Sequence, residues 1–560
     1  MIPSKPISIM KKIYFIFLIT ASWANCFAQL STNEQPVSFG LSLKQMEEIK
    51  KSLPSVTMPP LDMEKIEEED KEDEEFDMPR RFGFPHFVDY NLTNSGIWYE
   101  LPNGDKLWQL NVICPGALSV NFCYDKFWIP EGGKFFVFSK DKKHSIGAFT
   151  SNNNKGDSIN VRGFATGLVY GDDVILEYYQ PKEVTSNAII SIDFIVQGYR
   201  NIIGSSGGCQ VNVNCSEGHN WQNEKNAVAV IIVEGCSTCT GSLITTTNLN
   251  EDYLFLTANH CLIRAGKDAI DDPDLDYTFF WWKYEEPGCD SNSFNNVTFH
   301  ITSGATVLAN NHQSDFALLR LTERPISYSD FTPFFLGWDR SGNSGNPGVC
   351  IHHPGGDLKK ISTVAYQPLS TTMSWKVQWK STENGYGTTE QGSSGSPLLT
   401  AEHKVIGQLF TGSSSCSNLS GEDYFRRFDI SWNGNNNDSI QRRLSCWLDS
   451  LDTGLQTMDG LLIIPSIQTM STDQQLYNNI HIKTNGQLTI QSNVELMGNS
   501  QVIVESGGII IIDGGTLTNV DLVLKPGACL RIINNGFLGT RNGFDIPIGA
   551  IVDVEYGQIK

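Results

Sequence analysis

Three short segments carry residue types that do chemistry together. They are Leu256-Thr257-Ala258-Asn259-His260-Cys261, then Ser314-Asp315-Phe316-Ala317-Leu318-Leu319-Arg320-Leu321, and then Gln391-Gly392-Ser393-Ser394-Gly395-Ser396-Pro397. Their types fit nucleophilic acyl transfer. A serine hydroxyl is a weak nucleophile and needs a neutral imidazole within hydrogen-bond reach to take its proton. A buried carboxylate holds that imidazole in the right tautomer and stabilises the imidazolium. Glycines beside the serine let the backbone turn sharply, so that amide N–H groups point at a developing oxyanion.

Order and spacing narrow the reading. Gly392-x-Ser394-x-Ser396 is not a strict G-x-S-x-G elbow, because Ser396 stands in the last glycine's place. That elbow also needs an acid and then a histidine after the serine. The only histidines downstream of Ser394 are His403, too close in sequence, and His481, in a repetitive tail. The order His260, Asp315, Ser394, at intervals of 55 and 79 residues, is instead the chymotrypsin-type order.

The elements that must position these residues read as strands. The 560 residues exceed what one core needs and suggest three or four units. With 40% hydrophobic and only 18% charged residues, most of the chain is expected to fold. Abundant Gly, Phe, Tyr, Trp, Asn, Thr and Ser tilt it toward strands and turns. No run of 18 apolar residues appears, so a multi-span membrane protein is excluded. The formal charge of -21 argues against a nucleic-acid partner. Much of that charge is local, since residues 62–77 hold eleven Asp or Glu against Lys65 and Lys71.

Four further stretches follow an export signal at residues 1–28, where Lys5, Lys11 and Lys12 precede an apolar run and Ala24 or Ala28 offers a cleavage site. Export makes the 13 cysteines informative, and apart from Cys26 they are expected to pair as disulfides. Residues 29–81 form an acidic lead-in, expected to be exposed and partly disordered as a solvated linker, or else to pair with a basic partner or cleft. Residues 82–200 carry short aromatic-rich runs such as Lys106 to Ile113 and Asp173 to Tyr179, the mark of a β-sandwich, with Cys114 and Cys123 placed to close a local loop. Residues 201–460 read as many short strands with one late helix from Asp438 to Ser450. Residues 461–560 repeat short β-runs punctuated every eight to twelve residues, which suggests a β-solenoid or sandwich that binds a surface or another protein, or serves as a spacer.

From about Gly207 to Gly460 the chain resembles the bacterial lysyl endopeptidase branch of the trypsin-like serine proteases. The resemblance runs through Gly208-Cys209, Asn214-Cys215-Ser216-Glu217-Gly218, Cys239-Thr240-Gly241-Ser242-Leu243 and the three segments above. It continues through Gly337-Trp338-Asp339-Arg340, Ile351-His352-His353-Pro354, Val377-Gln378-Trp379, Gly407-Gln408-Leu409 and Ser431-Trp432. It implies an all-β, chymotrypsin-like double barrel with the site between the barrels, and a precursor whose residues 29 to about 200 are removed. Carried over, His260 is the general base, Asp315 the orienting carboxylate and Ser394 the nucleophile. The N–H groups of Gly392 and Ser394 form the oxyanion hole. The family's disulfides map onto Cys209–Cys416, Cys215–Cys289 and Cys239–Cys261, leaving Cys236, Cys350 and Cys446 without a partner.

The same resemblance places the basic-side-chain pocket at Asp423, counted back from Trp432. Tyr366 and Phe410 stand where lysine-specific relatives stack a tryptophan on a histidine. Arg426 replaces a glycine and is expected to neutralise Asp423 in part. The implied activity is cleavage of proteins or peptides after Lys or Arg by a secreted enzyme with no cofactor, metal or membrane span. Arg200 is the expected maturation site. The rival reading is an inactive protease-like binding module. Asp272-Pro273-Asp274-Leu275-Asp276 lacks the glycine and distant glutamate of a calcium loop. His352 and His353 read as structural, and Cys236-Ser237-Thr238-Cys239 as a disulfide segment rather than a zinc site.

Overall fold

The computed structural model describes residues 34–75, 78–249, 253–262, 268–289, 297–327, 330–436 and 439–560. The export signal expected at residues 1–28 lies outside them. No described helix is long and apolar enough to cross a membrane.

The described part of the acidic lead-in, residues 34–75 and 78–81, is folded, contrary to expectation. Ser42 and Gln45 form a reciprocal capping box that starts the helix Leu43–Ser52. The acidic run forms the helix Met63–Glu75. Its repulsion is relieved from outside the helix, because Arg81 contacts Glu69 and Asp70 and the remote Arg200 contacts Asp70, each at 2.9 Å.

The next stretch is a sandwich. A six-stranded sheet built around Lys106–Ile113 and Asp173–Gln180 faces a five-stranded one built around Ser119–Trp128 and Ile189–Gly198. Trp108, Leu110 and Val112 meet Phe122, Tyr124 and Ile192 between them. Strand alternation sends Cys123 and Val196 to the opposite face of the second sheet, and both are buried there too. Cys114 and Cys123 therefore lie in different cores and remain unpaired thiols, not the local loop expected.

Two further sheets form the half-barrels of a chymotrypsin-like fold. The first runs His300–Ser303, Phe279–Trp282, Val228–Val233, Ser237–Leu243, Leu254–Ala258, Phe316–Leu321, Ala305–Asn311. The second runs Lys360–Thr363, Pro347–His352, Pro397–Thr400, Lys404–Gly412, Asp423–Arg427, Ser374–Val377. A bridge between Val364 and Trp379 brings its ends together. The long helix expected over 438–450 is absent. Short turns at Ile440–Arg442 and Ser445–Leu448 take its place, and Asp438 lies outside the described residues.

The tail is a parallel β-solenoid of about five turns over residues 460–559. One turn takes 20 residues from Ile467 to Gln487 and 22 from Cys529 to Ile551, about twice the period read from the punctuation. Each turn carries more than one strand, and this halved the apparent repeat. The solenoid is no loose appendage. Phe334 and Phe335 pair antiparallel with Leu462 and Leu461, and barrel and solenoid share one buried apolar cluster.

That shared core generates a prediction. Leu461→Ala removes a fully buried side chain at the junction and should cost about 3 kcal/mol. Urea denaturation should show barrel and solenoid unfolding in one transition that moves as a whole. Two transitions, only one of them shifted, would contradict the shared core.

Candidate active site

His260 and Asp315 are brought together by strand pairing. Leu254–Ala258 runs antiparallel to Phe316–Leu321 with Ala258 opposite Phe316, so the residues following one strand meet those preceding the other. His260 sits on the 3-10 turn Asn259–Leu262, and the Cys239–Cys261 disulfide ties this turn to the neighbouring strand. One Asp315 carboxylate engages the histidine twice. Oδ1 accepts from the His260 backbone N–H at 2.9 Å, and Oδ2 lies 2.8 Å from Nδ1. A proton on Nδ1 leaves the Nε2 lone pair to act as a base.

Asp315 holds a left-handed backbone, φ 47°, which costs energy for a non-glycine residue. Its carbonyl accepts from the Asn259 N–H at 3.0 Å. Gln408 Nε2 donates to the carbonyls of Ser314 and Asp315 at 3.0 and 3.1 Å. Gln408 was seen in the sequence only as part of a resembling run. Its work in fixing the aspartate turn needs the fold to be seen.

Ser394 lies on a tight turn between Gly392 (φ 92°) and Gly395 (φ 84°). A Cβ at Gly395 would sit 2.2 Å from Thr257 Oγ1, so only glycine fits. Thr240 fastens this turn to the first half-barrel, its N–H donating to the Ser394 carbonyl and its hydroxyl to the Gly392 carbonyl, each at 2.9 Å. The Ser394 carbonyl is also 3.7 Å from Cys261 Sγ, which places the serine against the histidine turn. The N–H groups of Ser393 and Gly395 bond to the carbonyls of Glu390 and Leu409. Among the described residues, those of Gly392 and Ser394 donate to no protein acceptor. Two such N–H groups flanking one serine are available to an oxyanion.

Asp423 begins the strand Asp423–Arg427 and is 0% exposed. Its carboxylate accepts from Trp379 Nε1, Thr389 Oγ1 and Ser414 Oγ, each at 2.6 Å, and from the Ser414 N–H at 3.1 Å. All four donors are neutral. Among the described residues no Lys, Arg or His ion-pairs with it. Gly412 stands beside it, and a Cβ there would come within 2.0 Å of Oδ1. The loop holding Ser414 is stapled by Cys209–Cys416.

The aromatic pair expected over Asp423 is not formed. Tyr366 is 72% exposed and makes no ring contact with Phe410. Phe410 instead lies 6.2 Å from the His260 ring, and the Arg426 guanidinium stacks on it at 3.8 Å. Arg426 also reaches Ser374 Oγ at 3.4 Å and makes no ion pair with Asp423. Strand alternation explains this, since positions 423 and 426 point to opposite faces. Burial lowers the Arg426 pKa from its ordinary value, and the charge of Asp315 opposes that shift.

A strand from the lead-in crosses this region. Arg80 and Arg81 pair antiparallel with Thr238 and Ser237, on the strand that carries Cys239 and Thr240. Arg80 donates to the Gly355 carbonyl, and Gln391 Nε2 donates to the Met78 carbonyl at 3.4 Å. Residues 78–81 thus lie against the turn that precedes Ser394.

Cysteine pairing is narrower than expected. Cys209–Cys416, Cys215–Cys289 and Cys239–Cys261 are disulfides, whereas Cys236, Cys350, Cys446 and Cys529 are thiols. Asp274 and Asp276 are bridged by Arg162, at 2.9 and 2.8 Å. Among the described residues no group of three His, Cys, Asp or Glu is arranged to hold a metal.

His352 is buried beside the Ser394 turn, in keeping with the structural role expected of it. Its Nδ1 lies 2.8 Å from Ser393 Oγ and its Nε2 2.9 Å from Ser362 Oγ. Burial, aided by Lys360, pushes its pKa down to about 3. The unfolded chain takes up this proton near pH ~6.5 and the folded chain does not. Stability is therefore full above that pH and falls as the pH drops from there toward 3, by about 1.4 kcal/mol per pH unit for this group. His352→Gln should flatten the stability profile over that range in urea denaturation. An unchanged slope would show that His352 is not the group responsible.

Known proteins share parts of this architecture. Residues 203–426 match the family described as lysyl endopeptidase, C-terminal domain. A lysyl endopeptidase of Pseudomonas aeruginosa is 31% identical over 41% of this chain and 51% of its own length, so the chain spans about half of that relative. Among solved structures, human heparin binding protein is similar at 16% identity, covering 39% of this chain and 94% of its own, with a TM-score of 0.26. A mutant of the same protein gives 15%, 41%, 94% and 0.27. The fold described above rests on strand order, not on these slight structural likenesses. Over residues 203–426 this chain is similar to the family described as lysyl endopeptidase, C-terminal domain.

Proposed function

We propose that this protein is a secreted serine endopeptidase that cleaves after Lys or Arg and is made as a precursor. The observation that carries the specificity is Asp423, a buried carboxylate satisfied by four neutral donors and lacking a cation. A substrate ammonium or guanidinium supplies the missing charge. An uncharged side chain leaves the carboxylate desolvated and unpaired.

In the proposed reaction, Ser394 Oγ attacks the scissile carbonyl while His260 Nε2 takes its proton. The N–H groups of Gly392 and Ser394 hold the resulting oxyanion. Collapse of the tetrahedral adduct breaks the C–N bond, and His260 returns the proton to the leaving amine. Water, deprotonated by His260, then hydrolyses the acyl-enzyme and frees Ser394. Asp315 steadies the imidazolium in both halves.

Secretion is supported by the signal-like residues 1–28 and by three disulfides, which persist in oxidising compartments. A precursor is supported by the strand Arg80–Arg81 and by Met78, through which the lead-in pairs with the strand carrying Thr240 and contacts Gln391 beside the Ser394 turn. Maturation at Arg200 would leave the new end close to a fixed anchor. Asp357 accepts from the N–H groups of Gly204 and Ser206 at 2.8 and 3.2 Å. On this reading residues 29–200 form the pro-region, 201–460 the protease and 461–560 an accessory tail.

The test is mass spectrometry of a defined peptide mixture digested by the processed protein. Cuts should follow Lys or Arg and vanish in Ser394→Ala. Asp423→Asn should lower kcat/KM on those substrates about a hundredfold or more. Cuts after other residues, unaffected by Asp423→Asn, would discard the pocket. No cleavage by a correctly processed chain would favour a binding module.

A further inference from the structure

The first half-barrel is apolar on both faces, although one face of an antiparallel sheet is ordinarily solvated. Along Val228–Val233, Ala229, Ile231 and Val233 point into the barrel, while Val230 and Ile232 point out. Along Phe279–Trp282, Phe280 and Trp282 point in, while Phe279 and Trp281 point out. The outward set joins Ile202, Tyr284 and Leu358 in one buried cluster with Phe82, Cys123, Leu168, Phe194 and Val196 of the N-terminal sandwich. The sandwich sheet facing it is likewise covered on both sides.

Polar contacts lock the same face. Lys155 of the sandwich is 6% exposed and reaches into the barrel wall, where Nζ donates to Ser303 Oγ at 2.8 Å. The Ser303 N–H donates to Glu323 at 2.6 Å. Arg162 spans Asp274 and Asp276, and the Tyr277 hydroxyl donates to Asp193 at 3.0 Å. The Phe82 N–H donates to the Cys236 carbonyl at 2.9 Å.

Shedding the sandwich would strip all of this from the enzyme. Phe279 and Trp281, with Val230 and Ile232 beside them, would lose the sandwich side of their cover and leave a contiguous apolar patch of the kind soluble monomers rarely expose. It would also leave Glu323 without Lys155. We propose that the sandwich is not discarded when the chain is cut at Arg200, but stays seated on the first half-barrel as a second, non-covalent subunit of the processed protein. The proposed function supplies only the occasion for that cut. The test therefore makes the cut without using the protein's own activity, so either reading can fail alone.

In the Ser394→Ala chain, a recognition site for a foreign, sequence-specific protease is inserted between Arg200 and Asn201. The uncut protein provides the elution standard. After cutting, the two pieces should elute together at the uncut position on size-exclusion chromatography at high dilution, and should part only in denaturant. Separate elution, with soluble, folded 201–560 alone, would overturn the proposal. Arg162→Glu in the same background reverses one rim contact and should speed separation at least about tenfold. Unchanged separation would show that this face is not what holds the pieces.

Discussion

The whole site depends on one carboxylate bound twice. Asp315 accepts from the backbone and the ring of His260 at once, so it fixes both the path of the histidine turn and the tautomer of its imidazole. A single contact to the ring would leave the turn free to move. Everything nearby serves this clamp. The strand pair ending at Ala258 and Phe316 delivers the two residues, Cys239–Cys261 braces one side, and Gln408 holds the carbonyls on the other. Thr240 then ties the Ser394 turn to the same half-barrel, so that groups far apart in sequence become parts of one rigid body.

The second constraint is burial without charge balance. Asp423 is ringed by neutral donors that keep its carboxylate hydrogen-bonded in a buried site but do not cancel its charge. Arg426 does not cancel it either, because its guanidinium is committed to Phe410 on the other face of the strand. The same logic of covered surfaces links the three large units. The half-barrel carrying His260 is apolar on its outer face and shares a core with the sandwich, while the solenoid continues the barrel's own core through Phe334 and Phe335.

How much of this was legible depended on whether sequence-local chemistry or distant packing decided each element. The order of His260, Asp315 and Ser394, the need for Gly392 and Gly395, and the β-rich character of each stretch follow from residue types and spacing. The three disulfides followed from resemblance. Side-chain direction did not follow from counting, so Tyr366 faces solvent instead of joining Phe410. The acidic run reads as disordered because one partner, Arg200, is remote in sequence, and the turn that folds nearby Arg81 back onto it is invisible to a local window. Phe279-Phe280-Trp281-Trp282 carried a signal that went unused. A strand apolar on both faces announces a second covering layer, and here that layer is the sandwich.

The most direct test of the central claim is covalent. The processed protein is treated with a phosphonate ester bearing a lysyl side chain, or with its leucyl counterpart, and the adduct is located by mass spectrometry of fragments. The account predicts one adduct on Ser394, formed much faster with the lysyl reagent, and slowed by Asp423→Asn for that reagent alone. An adduct elsewhere, or equal rates for the two reagents, would contradict it.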